Sequence, residues 1–119
     1  MVVKDKVNLL FDVAPAERIT IQITKSGAGG AAKVGDLTNA TWAPKPDDNG
    51  TSGGFAAPAA AGSTVSFGIL FNFIPAPAPP ASGGPDTFSV TISGSNGGSF
   101  PQLIFGPGFT TRTYSFTVV

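Results

Sequence analysis

Between residues 63 and 74, Val65, Phe67, Ile69, Phe71 and Phe73 alternate with Thr64, Ser66, Gly68, Leu70 and Asn72. A repeat of two puts the first set on one face of an extended chain and the second on the other, a separation that helical geometry cannot produce. The stretch therefore reads as a β-strand with one wholly apolar face. Leu70 and Ile74 make the opposite face partly apolar, so this strand is expected to be covered on both sides near its end.

The same rule recurs along the chain. Ile19, Ile21 and Ile23 alternate with Arg18, Thr20, Gln22 and Thr24, the mark of a half-buried strand. Phe88, Val90 and Ile92 alternate with Thr87, Ser89, Thr91 and Ser93, and Tyr114, Phe116 and Val118 with Thr113, Ser115 and Thr117. Both of these strands carry hydroxyl side chains on their outer faces. The apolar segments 7–13 and 100–105 read as further strands, and 34–42 as another.

Between these runs lie Gly27-Ala28-Gly29-Gly30, Asp47-Asp48-Asn49-Gly50, Gly83-Gly84-Pro85-Asp86 and Ser95-Asn96-Gly97-Gly98, which supply the backbone freedom that reverses a chain. No capped helical period is present, and the run of alanines at 56–61 is interrupted by Pro58. The expected fold is all-β: a single antiparallel β-sandwich or jelly roll of about seven to eight strands, filling one domain over 1–119.

Charge then narrows the function classes. Of seven acids and seven bases, only Asp86 and Arg112 lie beyond Asp48. An average soluble sequence of that remaining length would carry roughly eighteen charges. A surface so poor in charge has little defence against contact with copies of itself or with a neutral partner. The chain has no cysteine and no histidine, so disulfides, thiolate chemistry and any histidine-based triad are excluded within it. Adjacent acids at Asp47 and Asp48 do not place two carboxylates across a substrate. No catalytic residue, metal ligand or cofactor is expected. The formal net charge of zero gives no basic patch for nucleic acid. No apolar run approaches the ~20 residues of a transmembrane helix, and the first residues do not form a signal peptide. An extracellular, cell-surface or particle-surface setting is expected.

Two segments are candidates for assembly. The Pro-rich loop at 74–85, with Pro75, Pro77, Pro79 and Pro80, favours a stiff polyproline conformation that can dock on a neighbour. An equally good reading is a long hairpin loop kept from aggregating by its prolines. The N-terminal strand at 2–13 carries Leu9, Leu10 and Phe11, which can complete its own sheet or be exchanged into a neighbour's, and neither segment is expected to be needed for the core.

Asp47, Asp48 and Asn49 gather oxygen ligands but lack the spacing of a calcium loop, so a polar turn is the better reading. Asn39-Ala40-Thr41 and Asn49-Gly50-Thr51 match the glycosylation acceptor pattern, at a frequency that chance explains. Most of the ten phenylalanines belong to a core, but Phe55, Phe100 and Phe109 sit beside Gly or Pro and are expected to be exposed or to pack between subunits. Trp42 can stack on a sugar, although a lone tryptophan near a strand end is more often core or interface.

The leading expectation is a non-enzymatic structural subunit that forms a homo-oligomer, fibre, shell or particle coat. The alternative is a lectin-like module binding a carbohydrate or a cell surface through Trp42 and the loop from Asp47 to Phe55. A membrane-surface role through exposed phenylalanines is disfavoured, because no basic amphipathic segment accompanies them.

Overall fold

A computed structural model of the chain describes residues 1–26, 31–35, 53–72, 87–106 and 108–119. Among them there is no helix, and the strands are β1 (Val2–Asp5), β2 (Leu10–Val13), β3 (Arg18–Ser26), β4 (Ala31–Gly35), β5 (Gly53–Ala56), β6 (Thr64–Asn72), β7 (Thr87–Gly94), β8 (Ser99–Phe105) and β9 (Thr111–Val118). They form two sheets, one in the order β1-β2-β9-β6-β4 and the other β5-β3-β7-β8. The all-β expectation therefore holds, in two sheets that share one core.

The alternating runs became the long central strands. Ile19, Ile21, Val65, Phe67, Ile69, Phe88, Ile92, Tyr114 and Phe116 all lie at or below 1% exposure, whereas their hydroxyl neighbours reach solvent. The two sheets meet through aromatic rings. Phe55 packs on Phe67 and Phe116, Phe100 packs edge-on against Phe11 and Tyr114, and Phe71 lies 5.3 Å from Phe88 and 5.0 Å from Phe105. Within the first sheet, Phe67 stacks on its cross-strand partner Tyr114, and Phe11 on Phe116.

Several local expectations are corrected. Segment 7–13 is not one strand, because the Asp5 carboxylate accepts the amides of Val7 and Asn8 and turns the chain between β1 and β2. β2 then runs parallel to β9, from Leu10 opposite Ser115 to Val13 opposite Val118, so the sheet is not purely antiparallel. The N-terminal segment also matters to the core: Leu9, Phe11 and Val13 are all buried, and β2 lies between β1 and β9. Leu70, expected to be covered, is 46% exposed, because its register opposite Thr111 puts it on the outer face. β1 and β5 are strands too short to show an alternation. Predicted strand 34–42 begins earlier, at Ala31, and its continuation, the Pro-rich loop at 74–85 and both glycosylation motifs lie outside the described residues.

In β8 the alternation fails for a specific reason. Phe100 and Phe105 both face the core although five residues apart, and their partners on β7, Ile92 and Phe88, are only four apart. One extra residue on β8 forms a bulge that changes which parity points inward. Pro101 sits in this strand at the edge of its sheet, where a missing amide breaks no ladder.

Two outcomes test this packing. Phe67→Ala should lower unfolding free energy by about 3–5 kcal/mol in denaturant titration, since it removes a ring that touches both sheets. Ala16, exposed in the turn before β3, has a φ of 59°, a left-handed conformation that costs an L residue about 1 kcal/mol. Ala16→Gly should therefore hold or raise the thermal midpoint, and a clear fall would show that the strain is absent.

Candidate functional site

β9 shows where chemistry can gather. Its even-numbered residues turn their main-chain groups toward β6: Val118 donates to the Ser63 carbonyl and accepts from the Gly62 amide. Its odd-numbered residues turn theirs toward β2: Ser115 donates to the Leu9 carbonyl at 3.1 Å, and Val119, just beyond the strand, donates to Val13 at 2.9 Å. By the same alternation, Thr111 and Thr113 point their N–H and C=O groups along the β2 side. The ladder does not reach them. It ends at Ser115, because Leu9 has a φ of 58° and swings the chain out of extended geometry toward β1.

The result is a cleft of about 320 Å³ lined by Val7, Asn8 and Leu9 on one side and Thr111, Arg112 and Thr113 on the other. Val7 projects at its rim, 81% exposed. Arg112 has the parity of Tyr114 and Phe116, so its side chain lies on the core side of the sheet. Its guanidinium carbon sits 5.8 Å from the Phe105 ring centre and 5.3 Å from that of Phe109. Those rings attract its charge but offer no strong acceptor. Its Nε is buried without a hydrogen-bond partner. Tyr114, next inward on the same face, is pushed up to about 12 by burial, against which the Arg112 charge acts weakly in the other direction.

A second polar cluster closes the opposite end of the core. Glu17 is the one buried charged side chain among the described residues. It accepts the Met1 ammonium at 2.9 Å, the Ala14 amide at 2.8 Å and the Asn96 amide at 3.2 Å. The Met1 ammonium also donates to the Gly97 carbonyl at 2.8 Å. Glycine is required here, since a Cβ on Gly94 would strike Glu17 and one on Gly98 would strike the Met1 carbonyl. Among the described residues, no group of three or more His, Cys, Asp or Glu side chains could hold a metal.

The residues singled out from sequence are distributed as follows. Phe109 is 44% exposed and joins the Arg112 cluster. Phe55 and Phe100 are buried, which overturns the expectation that their Gly and Pro neighbours would leave them exposed. Leu9 and Phe11 are core residues, and Leu10 is on the outer face. Trp42, Asp47, Asp48, Asn49, Pro75, Pro77, Pro79 and Pro80 lie outside the described residues. Arg112 and Glu17 went unread in the sequence. Arg112 had a signal: stepping back by two from Phe116 and Tyr114 places a lone charge on a buried face. Comparison with protein-family models, curated proteins and solved structures found no match to this chain.

Burial works to raise the Glu17 carboxyl, but the Ala14 amide, the Met1 ammonium and the Asn96 amide outweigh it and hold the group below its ordinary 4.5. A carboxyl lowered by folding contributes stability that is complete above its ordinary value and is lost as pH falls through the folded value. Thermal midpoints followed from neutral pH down to roughly pH 3 should therefore fall less steeply below pH 4.5 in Glu17→Gln than in the unmodified chain. Parallel curves would show that Glu17 does not carry this acid limb.

Proposed function

We propose that the chain is a non-enzymatic structural subunit, a β-sandwich that assembles with copies of itself through a charge-poor β surface. The observation that carries this reading is the strip across β2, β9 and β6 on the outer face of the five-stranded sheet. There Leu10, Ser66, Leu70, Thr111, Thr113 and Ser115 share one side without a formal charge, and Ser66 and Ser115 bond to each other at 2.9 Å. Exposed Leu10 and Leu70 supply apolar area and the hydroxyls supply neutral hydrogen bonds, a combination suited to close packing between like faces. On the β1–β2 side of the strip Lys4 and Asp12 pair with each other at 3.5 Å, and on the other side Lys33 of β4 stands opposite Leu70 in the register. Homo-oligomer, fibre, shell and particle coat are all compatible with such a surface.

The glycan-binding alternative has lost one of its proposed contacts. Phe55, at the end of the suggested loop, belongs to the core. No specific feature of the described residues favours that reading.

Sedimentation velocity tests the assembly reading. The chain should sediment above its 12.0 kDa monomer mass and remain assembled in about 1 M salt, because neutral contacts are not screened as ion pairs are. Leu70→Asp should reduce the particle mass while the β signal in circular dichroism is retained, since Leu70 is already near half exposed. A strict monomer at high protein concentration would overturn the reading.

A further inference from the structure

The cleft beside β9 has the properties of a vacant strand position. Thr111 and Thr113 present two donors and two acceptors along roughly 7 Å of edge, the spacing of alternate residues in an extended chain. Among the described residues none bonds to them. The groups that complement such a row are those of another extended backbone. We infer that this cleft is a socket for an extended segment of a different polypeptide, one that carries a carboxylate at the residue opposite Arg112.

The register dictates where that carboxylate lies. The main-chain groups of Arg112 turn toward β6, so on the socket side Arg112 occupies a position without ladder bonds. In an antiparallel pairing the residue opposite such a position approaches to about 4.5 Å between Cα atoms, and its side chain emerges on the same face. It would therefore point toward the Arg112 side chain, whose Nε has no acceptor and whose guanidinium carbon lies near the Phe105 and Phe109 rings. A carboxylate would supply the acceptor that the buried Nε lacks and that the aromatic rings do not offer.

The three described side-chain carboxylates of this chain are already engaged, while Asp36, Asp47, Asp48 and Asp86 lie outside the described residues, so a foreign strand is favoured over the described segments and the test below separates it from a second copy. Asp5 holds the Val7 and Asn8 amides, Asp12 pairs with Lys4, and Glu17 holds three donors. The socket uses the main-chain edge of Thr111 and Thr113, whereas the assembly reading uses the outer face of the sheet on which their side chains lie.

The test uses a labelled, capped heptapeptide of alternating Thr and Val with a central glutamate, and a twin with glutamine in its place. Fluorescence anisotropy should show saturable binding of the glutamate peptide and at least about tenfold weaker binding of its twin, the loss expected when a charge-assisted bond is removed. Arg112→Gln should bring the two peptides to the same affinity with an unchanged circular dichroism spectrum. Hydrogen exchange in the unmodified chain should slow at the Thr111 and Thr113 amides when the glutamate peptide is added, a readout that needs no variant to fold. Absence of saturable binding, equal affinity of the two peptides, or unchanged exchange at both threonines would overturn the proposal. So would exchange at both amides that slows with protein concentration alone and that the peptide cannot alter, because a second copy would then fill the socket. Particle mass measured alongside reports separately on assembly.

Discussion

Contact between aromatic rings of the two sheets is the interaction on which the rest of the molecule depends. Phe116 is at its centre. It lies 5.1 Å from Phe11 on the neighbouring parallel strand, 5.8 Å from Phe55 on the opposite sheet and 6.5 Å from Phe67 on the antiparallel neighbour. Each ring removes a large apolar area from water, and offset or edge-on pairs add about 0.5–1.5 kcal/mol beyond that area. The chain has no cysteine and hence no disulfide, so no covalent cross-link shares the work of holding the two sheets together. It also fixes the N-terminal segment in place, because Phe11 reaches both Phe100 and Phe116.

What could be read from the sequence follows from what alternation can report. β3, β6, β7 and β9 are long and unbroken, and their buried faces are the ones that a period of two predicts. The failures have separate physical causes. β8 contains a bulge, so a strict period cannot place both Phe100 and Phe105 inside. β5 offers one inward ring between glycine and alanine, which gives no pattern at all. Phe55 and Phe100 were misread because Gly and Pro neighbours suggested loops, whereas at a sheet edge those residues are tolerated. The parallel pairing of β2 with β9 depends on contacts more than 100 residues apart in sequence, which no local pattern reveals. Of the candidate site, Leu9 and Phe109 are singled out by the sequence, and Arg112 is hidden by the assumption that a charge faces water.

The socket beside β9 and the integrity of the N-terminal hairpin have the same cause. Asp5 caps the turn after β1, and the positive φ of Leu9 redirects the chain so that its side chain enters the core while its carbonyl accepts from Ser115. An extended Leu9 would continue the parallel ladder toward Thr113 and fill the cleft. The strain at Leu9 is therefore compensated by burial of its side chain, and the unpaired edge of β9 is a direct consequence of that exchange.

Charge has a direction in this fold. Lys4, Asp5, Lys6 and Asp12 lie on β1, β2 and the turn between them, which together form one margin of the five-stranded sheet. Strand edges with interspersed charges resist pairing with another edge, because an incoming strand must strip water from both signs. The uncharged strip on β9 and β6 lies between that margin and β4, whose Lys33 stands opposite Leu70. On the proposed assembly reading, contacts between copies would use the flat outer face rather than the β1 edge. That separation bears on how the chain can associate through a face without also propagating by uncontrolled edge pairing. On that proposal the uneven distribution of charge along the sequence would separate an associating face from a protected edge.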